Sequence, residues 1–359
     1  MSREIFEAIE QIEKTKGIPK ETLKQAVEAA LLSAYRKNFK SSHKGVSVVI
    51  DPVSGRIKVL AKKLVVKNPK DQATEISLTE ARKQGLEADI GDWVEVEITP
   101  HNFGRIAAQT AKQVILQRIR EAERELIYEE FYEKEGEVIT GLISYQEGNN
   151  IIVDLGKTTG ILPAPEQVVS EIYRPGGRMK FYIVEVRKTT KGPKIILSRT
   201  HPGLVRRLLE LEIPEIHDGL VDIKAIAREP GVRSKVAVEA RDKKIDPIGA
   251  CIGNRGSRIR SIIDELRGEK IDIILWSERP EEFIAEALNP AEVKRVELDE
   301  EQRIATVYVD QNQLSLAIGK EGQNARLAAR ITGWKIDIKG IPAGEKEEIG
   351  DGEETQDTS

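Results

Sequence analysis

The 359 residues leave room for roughly two to four domains with cores of their own, and a composition of 39% hydrophobic and 32% charged residues with clear periodic segments excludes bulk disorder. One cysteine, Cys251, excludes a disulfide framework, and no apolar run approaches the length of a membrane span. The net charge of −4 excludes a uniformly basic nucleic-acid binder, but the charge is uneven: seven acids face one lysine between Ala343 and Ser359, while Arg241, Lys243, Lys244, Arg255, Arg258, Arg260, Arg267 and Lys270 crowd one stretch. The charged start Met1-Ser2-Arg3-Glu4 carries no signal-peptide core, so a cytoplasmic protein without a membrane anchor is expected.

Ile5, Ile9 and Ile12 stand at helical spacing, and after Gly17 and Pro19 a second helix runs to about Phe39 with Leu23, Ala26, Val27, Ala30, Leu31 and Ala34 along it. The period then changes to two. Val46–Ile50 and Ile57–Leu60 predict a hairpin around Asp51-Pro52-Val53-Ser54-Gly55, and Val94, Val96 and Ile98 predict another strand. A long helix follows from about Arg105 to Tyr132, with Ala107, Ala111, Val114, Ile115, Ala122 and Leu126 expected on its buried face. From Gly136 the chain reads as short strands over Glu137–Ser144, Asn150–Asp154, Gly160–Pro163, Arg178–Arg187 and Lys194–Arg199, a pattern that predicts an OB-type barrel. Its candidate stacking side chains are Tyr145, Tyr173, Phe181 and Tyr182.

The most informative stretch occurs twice. Ile252-Gly253-Asn254-Arg255-Gly256 and Ile318-Gly319-Lys320-Glu321-Gly322 each follow a short apolar helix and precede a longer one. Each carries an arginine four residues after its second glycine, Arg260 or Arg326, and each ends in Gly-x-Lys-Ile-Asp-Ile. A bare Gly-x-x-Gly is weak evidence, but its repetition in the same context is strong. Around it, helices near Leu204–Leu211 and Phe283–Leu288 and strands at Val221–Arg228, Ser234–Ala240, Ile271–Trp276, Val293–Leu298 and Ile304–Val309 complete two units of one design. Helix, glycine turn, helix and strand in this order resemble the KH domain of prokaryotic type. Glycine allows positive φ and close backbone approach, and a loop that ends where a helix begins presents free N–H groups to anions. A KH loop of this kind clamps about four nucleotides of single-stranded RNA.

Catalytic chemistry is not expected. Gly156-Lys157-Thr158-Thr159 lacks the earlier glycine of a phosphate-binding loop, His43, His101, His201 and His217 share no ligand spacing with Cys251, and no nucleophile elbow occurs. Neither enzyme activity, nor a metal, nor a cofactor is predicted.

The barrel resembles the RNA-binding barrel of a large protein of the small ribosomal subunit, notably in Asp154-Leu155-Gly156-Lys157 and Gly160-Ile161-Leu162-Pro163. With Met1–Ala8, Asp246–Ile259 and Ala317–Ala328, the order of domains resembles the NusA family of bacterial transcription elongation and termination factors over the chain to about Ile341. The resemblance implies a multidomain α+β architecture: an N-terminal α+β domain at 1–132 that binds RNA polymerase, an OB-fold barrel at 136–200, tandem KH domains at 201–278 and 279–341, and a disordered acidic tail at 342–359. It implies a monomer that contacts polymerase core, nascent single-stranded RNA and other elongation or antitermination factors, and that modulates pausing, termination and antitermination. The RNA-binding residues it implies are Ile252, Gly253, Asn254, Arg255, Gly256, Arg258 and Arg260, with Ile318, Gly319, Lys320, Glu321, Gly322 and Arg326. Two departures stand out: extra C-terminal repeats of some members are missing, and Glu321 puts an acid in the second loop. The alternative reading is a KH/OB RNA-binding protein acting in translation or RNA turnover without polymerase.

Overall fold

The computed structural model describes residues 12–14, 18–39, 45–51 and 56–342. The predicted helix positions Ile5 and Ile9, the turn residues 52–55 and the tail beyond Pro342 lie outside them. The chain divides into two compact units, one of residues 1–129 with 190–192, the other of 130–189 and 193 onward.

In the first unit, helix α1 (Lys20–Phe39) buries Leu23, Val27, Leu31 and Tyr35, one face at a spacing of four. That face packs on the sheet of β1 (Val46–Ile50), β2 (Ile57–Val66), β3 (Glu75–Ser77) and β4 (Trp93–Glu97). β2 is long enough to serve three partners: β1 antiparallel through Ile57–Ala61, β4 antiparallel through Leu60–Leu64, and β3 parallel through Leu64–Val66. A short helix α2 (Leu78–Lys83) is capped by the Ser77 hydroxyl, which accepts from the Glu80 N–H. Helix α3 (Phe103–Tyr132) closes the core with Phe103, Ala107, Ala111 and Ile115, and Tyr35, Phe39 and Phe103 form a ring cluster. The expected apolar face does not stay buried along the whole helix: Leu126 is 57% exposed. The core of this unit is one sheet wide, so it reaches only the first half of a 30-residue helix.

The second unit begins at Glu130, so buried Phe131 and Glu135, whose carboxylate accepts from the Val186 N–H, belong with it. β5 (Val138–Glu147), β6 (Asn150–Asp154), β7 (Thr159–Leu162), β8 (Arg178–Thr189) and β9 (Gly192–Ser198) form a closed barrel in the order β5-β6-β7-β9-β8. Alternation fills its interior with Ile143, Ile151, Val153, Leu162, Phe181, Ile183, Ile195 and Leu197.

Two three-stranded units follow. The first has α4 (Pro202–Glu212), α5 (Pro214–His217), β10 (Val221–Glu229), β11 (Arg233–Ala240), α6 (Pro247–Ile252), α7 (Ser257–Glu265) and β12 (Lys270–Leu275). The second has α8 (Pro280–Ala287), β13 (Val293–Asp299), β14 (Ile304–Asp310), α9 (Leu314–Ile318), α10 (Gln323–Thr332) and β15 (Lys335–Ile341). In each, an antiparallel pair takes its last strand in parallel, β11 with β12 and β14 with β15. One core joins Leu204, Val205, Leu208 and Leu209 of α4 to Val236, Val238 and Ile262. The next core joins α8, α10 and the second sheet to Ala227, Ala237 and Ile274 of the first sheet. The first sheet is therefore covered on both faces, and its second face is small and apolar at Ala225, Ala227, Ala237 and Ile274. The matching positions in the second sheet are Arg295, Glu297, Tyr308 and Lys339, where both cations lie over the tyrosine ring and its hydroxyl donates to Glu297. A face so charged suits solvent, and the stack of units ends there.

A buried arginine network fixes the barrel on the first of these units, and a buried ion pair lies within that unit. Arg199 is fully buried, pairing through Nε with Glu171 (2.9 Å) and donating to the carbonyls of Lys180 (2.7 Å) and Glu265 (2.9 Å). Burial pulls its guanidinium down, but the Glu171 carboxylate outweighs this and holds it above its ordinary value. Arg228 and Glu269 make a second buried pair at 2.8 Å, with Ser234 and the Gly231 N–H also donating to Glu269. His201 stacks on Tyr182 and accepts at Nδ1 from the Gly203 N–H, and burial holds its imidazole below the usual value.

Candidate nucleic-acid interface

Helix α6 starts at Asp246, whose side chain accepts from the Ile248 N–H, with Pro247 in its first turn. It stops at Gly253, which has φ 74° and ψ 177°. Arg255 (φ 53°, ψ 28°) and Gly256 (φ 76°, ψ 19°) then turn the chain into α7. The second copy repeats this geometry to within a few degrees: Gly319 has φ 76° and ψ 171°, Glu321 φ 54° and ψ 25°, and Gly322 φ 75° and ψ 14°. Two segments with different side chains hold one backbone shape because their glycines dictate it. A Cβ on Gly253 would stand 2.7 Å from Cγ of Arg258, and one on Gly319 would stand 2.8 Å from Cβ of Asn324. Space and positive φ both require glycine there.

No side chain caps α7 or α10, because the residue at each cap is a glycine. The Ser257 and Gln323 N–H groups donate to the Asn254 and Lys320 carbonyls, and the positive end of each helix dipole remains for an anionic ligand. Asn254, Arg255, Lys320 and Glu321 are exposed at the loops, and Ile252 and Ile318 stand beside them about two-fifths exposed. The arrangement can hold a phosphodiester by backbone donors and lay bases against isoleucine.

The flanking cations divide into braces and free charges. Arg260 donates from Nη2 to the Arg255 carbonyl (3.2 Å), and Arg326 likewise donates to the Glu321 carbonyl. Both arginines support the strained loop residue from the first turn of the following helix. Arg258, expected at the RNA, donates to Glu215 (2.8 Å) and to the Ala250 carbonyl (2.7 Å), tying the end of α6 to α7. Asn324 occupies the equivalent place in the second copy and is a site residue that sequence reasoning missed. It is buried and donates from Nδ2 to the carbonyls of Leu288 (2.9 Å) and Ala317 (3.1 Å). The signal was available, since Arg258 and Asn324 both stand two residues past the second glycine.

Cys251 lies buried beneath the first loop, and burial pushes its thiol up to about 12. A thiol held protonated is a poor nucleophile. Native protein at pH 8 is therefore expected to resist iodoacetamide, while urea-unfolded protein is alkylated at a rate at least tenfold higher; mass spectrometry reads the difference.

On the barrel, Phe181 is buried, Tyr182 is stacked on His201, and the Tyr173 hydroxyl donates to Glu171 while accepting from the Val168 N–H. Burial raises the Tyr173 phenol well above its ordinary value. Of the four aromatic candidates only Tyr145, 55% exposed, presents most of its ring. Among the described residues, no helix is long and apolar enough to cross a membrane, and no three metal-ligating side chains gather.

Comparison with known families matches four successive sections of the chain. Residues 4–125 match the NusA N-terminal domain, 132–199 the S1 RNA binding domain, 199–276 the NusA-like first KH domain, and 280–346 the NusA-like second KH domain. The transcription termination/antitermination protein NusA of Halalkalibacterium halodurans is 52% identical over 94% of this chain and 88% of its own length. Those of Bacillus subtilis and Thermus thermophilus are 52% and 45% identical, each over 94% of this chain and over 91% and 89% of their own. With an N-terminal α+β domain, an OB-type barrel and the paired glycine loops in this order, the chain belongs to the NusA family of transcription termination/antitermination proteins.

Proposed function

We propose that this protein binds the RNA polymerase core through residues 1–132 and nascent single-stranded RNA through its tandem KH units, and so modulates pausing, termination and antitermination. It acts as a cytoplasmic monomer, by binding and without catalysis or cofactor, and other elongation or antitermination factors are further partners. The observation that carries the reading is the pair of glycine loops with one backbone geometry, each opening an uncapped helix, on two units that share a core. The candidate residues are Ile252, Gly253, Asn254, Arg255, Gly256, Arg258 and Arg260 at the first loop, and Ile318, Gly319, Lys320, Glu321, Gly322 and Arg326 at the second. Glu321 weakens the second. Polymerase, once bound, holds the KH units near emerging RNA at high effective concentration, so modest RNA affinity suffices.

Salt dependence tests the RNA half. With about four phosphates neutralised, log K is expected to fall against log salt with a slope near −3 for single strands, and duplex RNA is expected to bind poorly. A flat dependence, or equal affinity for duplex, would contradict phosphate clamping by the loops.

A further inference from the structure

The two loops share a backbone but not an electrostatic setting. At the first, Arg255 is exposed and Arg260 gives a hydrogen bond only to a backbone carbonyl, while the charge of Arg258 is met by Glu215. At the second, Lys320 stands beside Glu321, and the charge of Arg326 is met by a residue from the other KH unit. Glu229, the last residue of β10, reaches the first turn of α10: its Oε2 accepts from Gln323 Nε2 (2.8 Å) and its Oε1 from Arg326 Nε (3.2 Å). Burial pushes the Glu229 carboxyl up, but the hydrogen bonds from Gln323 and Arg326 outweigh it and hold the group below its ordinary value, so it is an anion at neutral pH. Counting only these side chains, the first loop keeps two uncompensated positive charges, Arg255 and Arg260. At the second, Lys320 and Arg326 are cancelled by Glu321 and Glu229.

We infer that Glu229 is a specificity-determining residue: a carboxylate supplied by the first KH unit that occupies the arginine of the second loop and weights phosphate binding toward the first. An RNA phosphate at α10 must either displace this carboxylate from Arg326 or do without the arginine. The second loop is thereby left to hold RNA by its backbone N–H groups and Ile318, without an uncompensated side-chain cation. The inference rests on the reading of the loops as RNA clamps.

The test is Glu229→Gln in the full chain, a change that keeps size and hydrogen-bonding groups and removes the charge. Affinity for a fluorescent single-stranded RNA long enough to span both loops is read by anisotropy across a salt series. Binding is expected to tighten about threefold, and the log K against log salt slope to steepen by about 0.7, one further phosphate. Arg326→Gln added to Glu229→Gln is expected to cancel both gains. Unchanged or weaker binding with an unchanged slope would overturn the inference and leave Glu229 as a bond between the KH units only. The double variant Asn254→Asp, Arg255→Asp on the same RNA separates the two levels. If it binds as tightly as the parent, the clamp reading itself fails; if it weakens binding while Glu229→Gln does nothing, the role of Glu229 alone falls.

Discussion

Replacing Asn254 and Arg255 together with aspartate is expected to lower the affinity for single-stranded RNA about thirtyfold, roughly 2 kcal/mol, and to leave the fold intact. One exposed cation becomes an anion and a neutral neighbour becomes a second anion, both at the positive end of a helix dipole that favours phosphate. Stability is preserved because both side chains are exposed, and aspartate tolerates the left-handed conformation held by Arg255 better than most residues. The matching change, Lys320→Asp with Glu321→Asp, is expected to have a smaller effect, because Glu321 is already acidic and the Arg326 charge is already met. An equal or greater loss at the second loop would reverse the ranking of the two. Circular dichroism and RNA anisotropy on the same preparations check both halves of the expectation.

The second large effect concerns the joint between the barrel and the first KH unit. Glu171→Ala leaves the Arg199 guanidinium, fully buried, without its main carboxylate partner, and removing one member of a buried pair costs about 3–5 kcal/mol. The Lys180 and Glu265 carbonyls still accept from Arg199, so the lower end of that range is expected. Urea unfolding followed by the fluorescence of Trp276 and Trp334, both in the KH units, measures it. The double replacement Arg199→Met with Glu171→Leu is expected to recover most of the loss, since no fully buried charge is then stranded and the partly exposed Glu265 carboxylate keeps the Lys180 N–H. A loss below about 1 kcal/mol for Glu171→Ala would show that the network does not hold the joint.

What could be read from the sequence depended on how far apart the interacting residues stand. Val46–Ile50 and Asn150–Asp154 were legible to the residue, because alternation within one strand is a local signal. The loops were legible because glycine at a fixed spacing specifies a backbone shape without help from distant residues. The short β3 and α2 were not, since three residues become a strand only when β2 offers its edge. Arg258 and Arg326 look alike as loop-flanking cations in sequence. Their partners, Glu215 and Glu229, lie 43 and 97 residues away, and nothing local indicates that these acids meet them. For the same reason Leu126 carries a helical apolar pattern that the fold leaves exposed. The corresponding faces of the two KH sheets differ in a legible way, alanine and isoleucine against arginine, tyrosine and lysine, but only once the register between strands is known.

On the proposed function, polymerase binding and RNA binding reside in different parts of one chain. The division between compact units falls at Glu129 and Glu130, which sets the cut so that Phe131 stays with the second part. Fragments 1–129 and 130–342 are each measured for binding to RNA polymerase core and to a single-stranded RNA. The first is expected to bind polymerase and not RNA, and the second to bind RNA with an affinity close to that of the whole chain while its contact with polymerase is much weakened. A first fragment that folds and ignores polymerase, or a second that folds and ignores RNA, would contradict it.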